Sequence, residues 1–264
     1  MKMKILDKTD MKMKFELEGA TPAFANTLRR VMMNEVPTLA VEYVDIEENG
    51  SGMFDEMLAH RIGLIPLTVP KKFCFKDKCK CEGNGCSMCE VTLVVEKQGP
   101  CVVKSGDMKS TNDDARPADM DIPIIELLEG HRIKFEAVAQ LGFGKRHMKW
   151  QASVAGYRYK ANVRIYPDRD GDVDAYTIDV CPKNVFEKKD GTIKVARPED
   201  CNLCMRCVEI AKDNAATVIP DDTSFVFRVE SVCGLHVEDV VAAALEEIEN
   251  RTDDFISSFK KAVK

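Results

Sequence analysis

The sequence predicts an α+β fold assembled from distant pieces of chain, on three observations. Near the N-terminus apolar residues recur at a period of two, with Met11, Met13, Phe15 and Leu17 on one face, as in a half-buried strand. Phe24, Leu28, Val31 and Met32 then fall at helical spacing. From Val237 the chain again reads as a helix, long and with an apolar seam. Between these parts lie two stretches of different character, each with its own cysteine cluster.

Taken in order, Lys2 to Glu18 reads as strands, and Thr21-Pro22 supplies an N-cap followed by proline at the first helical position. Pro37 stops that helix. Leu39 to Ile46 is rich in β-forming residues, and Asn49-Gly50-Ser51-Gly52 marks a boundary. Phe54 to Ile65 is a short helix, Lys71 to Cys89 is irregular, and Val91 to Glu96 is a strand with which Cys101 to Lys104 is expected to pair. Ser105 to Asp121 is a polar loop. Ile122 to Leu128 precedes a turn at Glu129-Gly130-His131, and Ile133–Gln140 and Ala152–Ile165 read as further strands. Gly142 to Trp150 is a glycine-hinged basic loop holding the single tryptophan. At Pro167 the character changes, and 168–221 reads as a compact insertion. Ser224 to Glu230 alternates like a strand. The closing helix carries Val237, Val241, Ala244, Ile248, Phe255 and Phe259 on a seam of threes and fours, with Glu246, Glu247 and Glu249 off it. A stripe that long and apolar needs a cover.

Composition bounds the function. The 264 residues carry a formal charge of -6, which argues against a free-standing nucleic-acid binder. No apolar run approaches the roughly 20 residues of a membrane span, and the charged N-terminal stretch lacks a signal-peptide core. The expectation is a cytoplasmic protein, whose eleven cysteines read as metal ligands or thiols before disulfides.

Cys201, Cys204 and Cys207 form a C-x2-C-x2-C run, the pattern of bacterial-type ferredoxins, with Ala211 where a fourth cysteine would stand. Upstream, Cys181-Pro182 is separated from the run by a stretch that reads as turn, hairpin at Gly191, strand and turn. Counting back from Cys181 by the same rule meets Gly171, Asp174 and Thr177, none of them a ligand of this kind. Four survivors of a degenerate double motif remain, Cys181, Cys201, Cys204 and Cys207, and they are the set that serves one cluster. The reading is one [4Fe-4S] cluster; a four-thiolate zinc site or a metal-free fold are the alternatives.

Cys79, Cys81, Cys86 and Cys89 form a second quartet, C-x-C-x4-C-x2-C, with Gly83 and Gly85 letting the loop turn. Four thiolates in one loop suit a closed, structural zinc, with empty thiols or a disulfide as the alternative. Cys74, Cys101 and Cys233 read as small buried hydrophobes. The four histidines fall in no metal or triad spacing, there is no P-loop, and no constellation for bond making stands out.

Thr27-Leu28-Arg29-Arg30-Val31 through Val36-Pro37 resembles the Leu-Arg-Arg helix of the α-like subunits of multisubunit RNA polymerases. His60-Arg61-Ile62-Gly63-Leu64-Ile65-Pro66-Leu67 and Gly144-Lys145 with His147 and Lys149-Trp150 are similar to further motifs of the archaeal and eukaryotic branch, and the cysteine clusters point to the archaeal D subunits. The resemblance runs the length of the chain. It implies a split dimerisation domain (1–48, 158–167 and 222–264), an inserted mainly-β domain (49–157) and an inserted ferredoxin-like iron–sulfur domain (168–221). It implies a non-catalytic assembly scaffold that pairs with subunit L, recruits subunits N and P and the large B subunit, and meets DNA only through the complex, with no membrane. Arg29 and Arg30 are the implied large-subunit contacts. Phe24, Leu28 and Val31, with the C-terminal seam, are the implied dimer interface. An iron–sulfur electron carrier is the rival reading of the same cysteines.

Overall fold

The structure is a computed structural model, and it describes residues 1–166, 179–189, 192–211 and 214–263. Gly171, Asp174, Thr177 and Gly191 lie outside the described residues. The chain divides into two compact units: Met1–Lys8, Met13–Thr27 and Gly156–Arg228 in the first, and Thr9–Lys12, Leu28–Ala155 and Val229–Lys264 in the second. Segment 168–221 thus falls in the first unit and most of 49–157 in the second. Residues assigned from sequence to a dimerisation domain are shared between both.

The first unit is built on a four-stranded sheet in the order β1-β2-β12-β9, from β1 (Lys2–Lys8), β2 (Lys12–Glu18), β9 (Ser153–Ile165) and β12 (Ala216–Ser231). The N-terminal alternation is a hairpin, with Lys2 opposite Glu18 and Ile5 opposite Phe15. Its buried positions Phe15 and Leu17 obey the period of two. Phe15 stacks on Phe227 with ring centroids 4.9 Å apart, and Tyr157 meets the same ring at 5.3 Å. A two-stranded hairpin, β10 (Phe186–Lys189) with β11 (Thr192–Val195), belongs to this unit, as does the short helix α3 (Arg206–Ile210). Around this hairpin and α3 the core is a small cluster of Ala161, Val185, Phe186, Ile193 and Val218, together with Cys201 and Cys207, separate from the aromatic residues Phe15, Phe225 and Phe227 buried on the sheet.

A larger core fills the second unit. Its main sheet has the order β3-β8-β4-β6, from β3 (Thr38–Asn49), β4 (Val91–Gln98), β6 (Lys109–Ser110) and β8 (Arg132–Gly142). Val91, Leu93 and Val95 alternate inward, as do Ile133, Phe135, Ala137 and Ala139. Helix α2 (Asp55–Gly63) buries Leu58 and Ile62. The expected partnership of Cys101–Lys104 is corrected by the structure. This strand, β5, pairs with β7 (Pro123–Leu127) in a separate two-stranded sheet, Cys101 opposite Leu127, while β4 is already paired with β8 and β6. Sequence neighbours are the default partners of a strand, but β4 has only two edges and other strands take both.

Helix α1 (Pro22–Asn34) begins where the cap predicts, with the amide of Phe24 donating to Thr21 Oγ1 at 3.2 Å. Helix α4 (Val237–Ala262) has 26 residues, roughly 39 Å of helix at the standard rise. No helix among the described residues is long and apolar enough to cross a membrane.

Candidate metal centres and interaction faces

All eleven cysteines are free thiols. Among the described residues the Cys79, Cys81, Cys86 and Cys89 sulfurs form the group of potential metal ligands lying within 4.8 Å of one another. Cys79 and Cys86 Sγ are 3.5 Å apart, Cys81 and Cys89 3.6 Å, and Cys86 and Cys89 3.8 Å. A tetrahedral ion with metal–sulfur bonds of about 2.3 Å places its sulfurs about 3.8 Å from each other. Donor set and spacing therefore fit one tetrahedral metal ion.

The loop is shaped for this. Its backbone turns through positive φ at Glu82, Gly83 and Gly85. A side chain at Gly85 would collide with the Glu90 carboxylate, 1.9 Å from where its Cβ would lie. Glu90 accepts from Lys76 Nζ and from Gln140 Nε2, both at 2.7 Å, and so ties the loop to β8. The amides of Cys89 and Glu90 both donate to the Cys86 carbonyl. Burial pushes the Cys89 thiol up to about 12. Burial also acts against the Cys81 thiolate, but hydrogen bonds from Cys79, Cys89 and the Gly85 and Gly83 amides outweigh it and bring that thiol down to about 7. A bound cation would favour the thiolate form of all four ligands.

The second quartet is arranged differently. Cys181, Cys201, Cys204 and Cys207 line one cavity together with Val185, Phe186 and Val218. Cys201 and Cys207 are buried, Cys181 is half-buried and Cys204 is exposed. Leu203 and Met205 both adopt positive φ, which bends the triple-cysteine run around the cavity. The amide of Val185 donates to Cys181 Sγ at 3.4 Å. Burial raises the Cys201 thiol, outweighing the charge of Arg158, and with the neighbouring cysteines it pushes Cys207 up to about 11. Four cysteines lining one apolar site, in the pattern of a triple-cysteine run with an upstream Cys-Pro, fit a polynuclear iron–sulfur group, whose positive charge would favour the thiolates that burial disfavours.

Two contacts anchor this quartet that spacing in the sequence did not reveal. Lys14 Nζ of β2 lies 2.9 Å from Asp200 Oδ1, and the Arg158 guanidinium of β9 donates to the Glu199 carbonyl. Both grip the turn immediately before Cys201. A lysine and an arginine on distant strands leave no periodic signal, so only the fold discloses the pair.

The implied interface residues divide by burial. Leu28, Val31, Val237, Val241 and Ala244 are buried by this chain alone, and Phe24 and Ile248 are half-buried. A seam of threes and fours does not say whose residues cover it, and here the N-terminal half of the α4 seam is core. Phe255 and Phe259 are 70% and 59% exposed and stack on each other at 6.4 Å, beside exposed Ile256 and Val263. Arg30 is exposed; Arg29 is half-buried, with Nη1 3.6 Å from Met33 Sδ. Within the basic loop, Lys149 Nζ and Arg146 Nη2 both bind the Glu42 carboxylate, at 2.5 and 2.9 Å, and both cations lie over the Trp150 ring. Trp150 is buried against Gly142, where a Cβ would come within 2.3 Å of the indole. Two of the loop's cations are thus spent holding the loop down.

The model of the RNA polymerase Rpb3/RpoA insert domain matches residues 44–156. The chain is 38% identical to DNA-directed RNA polymerase subunit Rpo3 of Archaeoglobus fulgidus, over 96% of this chain and 95% of that one. It is 35% identical to Rpo3 of Methanosphaera stadtmanae, over 97% and 98% of the two chains. Against Rpo3 of Thermococcus kodakarensis the figures are 36% identity over 98% and 97%. With this similarity sustained over nearly the whole of each chain, the protein belongs to the Rpo3 family, the archaeal D subunits of DNA-directed RNA polymerase.

Proposed function

We propose that this chain is a non-catalytic scaffold on which an archaeal RNA polymerase assembles. It pairs with subunit L, then offers the heterodimer to subunits N and P and to the large B subunit. The observation that carries this reading is the exposed Phe255–Phe259 stack with Ile256 and Val263, an apolar strip continuing a helix whose first half is already core. Burying large apolar side chains of this kind contributes on the order of 2 kcal/mol each. Residues 1–48, 158–167 and 222–264 make up the dimerisation domain in this proposal, with 49–157 and 168–221 as insertions. Arg29 and Arg30 face the large subunit, with exposed Arg30 the stronger contact.

Two metal groups complete the proposal. Cys79, Cys81, Cys86 and Cys89 would hold one zinc ion, supported by their tetrahedral sulfur spacing. Cys181, Cys201, Cys204 and Cys207 would hold one [4Fe-4S] cluster, supported by their shared cavity. Both groups would serve as cross-links that add folding free energy. The chain's own residues position the ligands: Glu90 and the Cys86 turn for the first quartet, Lys14 and Arg158 for the second. The electron-carrier alternative has no support among these relatives, which are polymerase subunits by name.

The test is co-expression with an L subunit. Phe255→Glu with Phe259→Glu is expected to weaken heterodimer formation by about 100-fold or more, as for loss of central aromatic anchors. Undiminished co-purification of the double variant would refute the proposed interface.

A further inference from the structure

Helix α2 and strand β7, both in the second unit, flank an open groove that none of the implied interfaces uses. Its walls are Gly52, Met53, Phe54 and Met57 on one side and Ile125, Glu126, Leu128 and His131 on the other. Three of these side chains are large, apolar and out in solvent: Phe54 is 79% exposed, Met57 57% and Leu128 60%. Single exposed hydrophobes are ordinary, but several converging on one concave surface mark a contact site. The two methionines give the groove walls that reshape easily around an inserted side chain. In addition, His131 of the wall has a buried Nδ1 atom with no hydrogen-bond partner.

The charge around the groove selects among occupants. Asp55 and Glu56 follow Phe54 on α2, Glu126 stands on β7, and Glu129 follows Leu128. All four are exposed, and among the described residues none takes part in an ion pair. The nearby Arg61 is committed to the carbonyls of Ile124 and Pro123, at 2.9 and 2.7 Å. We propose that this acidic-rimmed apolar groove docks a basic amphipathic segment of another protein chain. The segment seats an apolar side chain between Phe54, Met57 and Leu128, and its flanking lysines or arginines meet Asp55, Glu56, Glu126 and Glu129. An acidic segment would meet the like charge of Glu126 in the wall and of the neighbouring Asp55, Glu56 and Glu129. The proposal rests on the groove alone and stands whether or not α4 binds subunit L.

Fluorescence anisotropy on the full chain tests it, with a short labelled lysine/leucine amphipathic peptide as the probe. Two controls replace the lysines by glutamate or the leucines by serine. The lysine/leucine peptide is expected to bind, more weakly as salt rises, and both controls are expected to fail. Phe54→Ser and Glu126→Lys should each weaken binding by about tenfold or more. Both positions are exposed, so an unchanged thermal melt will show the fold intact. Equal binding of the glutamate peptide, or undiminished binding by Phe54→Ser, overturns the proposal. So does self-association that Phe54→Ser abolishes and the peptide does not compete, which would give the groove to a second copy of the chain.

Discussion

The two cysteine quartets have the same ligand count and opposite designs. Cys79 to Cys89 lie in one surface loop, their sulfurs already at the separations of a single ion, beside a core of large aliphatic and aromatic residues. Cys181, Cys201, Cys204 and Cys207 come from two segments and surround a cavity, and two of them are themselves members of a small core. Spacing of the sulfurs decides which group each can take, and the surrounding core decides what removing that group costs. The small cluster around the second quartet buries few large side chains of its own, so a cross-link at its centre carries a large share of that region's stability. The second unit's sheet is packed mainly by residues outside its loop, which adds Phe73 and Phe75 at the edge of the core.

The comparison breaks if the quartets prove equally dispensable, and Cys204→Ser is the most demanding trial. Cys204 is exposed, so the substitution disturbs no packing and reports on ligation. The expected outcome is loss of iron–sulfur absorbance in anaerobically purified protein and destabilisation of the region around the quartet by more than about 5 kcal/mol, read by hydrogen exchange at Val185, Phe186, Ile193 and Val218. Retained absorbance and protection would remove the distinction.

Cys86→Ser is expected to do less. Zinc should be lost, and exchange protection should fall across 74–90, while β4 and β8 stay protected because Leu93, Val95 and Phe135 remain packed. The global cost should be on the order of 1–2 kcal/mol, typical of an ordinary destabilising substitution. Collapse of β4 and β8 protection would place the two quartets on an equal footing.

The smallest expected effect sharpens how the second quartet is anchored. A hydrogen bond and the charge of Lys14 hold the Asp200 carboxyl below its usual range, with burial opposing. A depressed folded value stabilises above the unfolded value of about 3.9 and loses that contribution as pH falls through the folded one. Lys14→Met should therefore lower stability at neutral pH by at most about 1 kcal/mol, since both partners remain partly in water. Melts of the two proteins should converge as the pH is taken below about 4. A difference that persisted in acid would mean that Lys14 acts by packing alone.

Much of the fold was legible because it follows from local periodicity. The cap at Thr21, the inward side of β2 and the strands β4 and β8 stand where the sequence places them. Pairing was less legible. Cys101–Lys104 read as a partner of the preceding strand, yet β7 takes it, because partner choice depends on which edges other strands have already filled. The anchoring of the basic loop left no local signal, because Glu42, over a hundred residues away, holds two of its cations. The α2–β7 groove had no signature at all: its apolar residues are scattered through two elements and converge only once β7 has left the main sheet.

The sequence by itself determined which residues are of one kind and at what spacing: two thiol quartets, an arginine pair on a capped helix, and an apolar seam. Those patterns depend on residue types a few positions apart, which the local geometry of helix, strand and loop makes neighbours. Tertiary structure decided what each pattern meets. It sends the first half of the α4 seam into the core and leaves Phe255 and Phe259 in solvent. It closes one quartet to the size of an ion and opens the other around a cavity. The reason is that burial and sulfur spacing are set by contacts between segments far apart in the chain, and no local period encodes them.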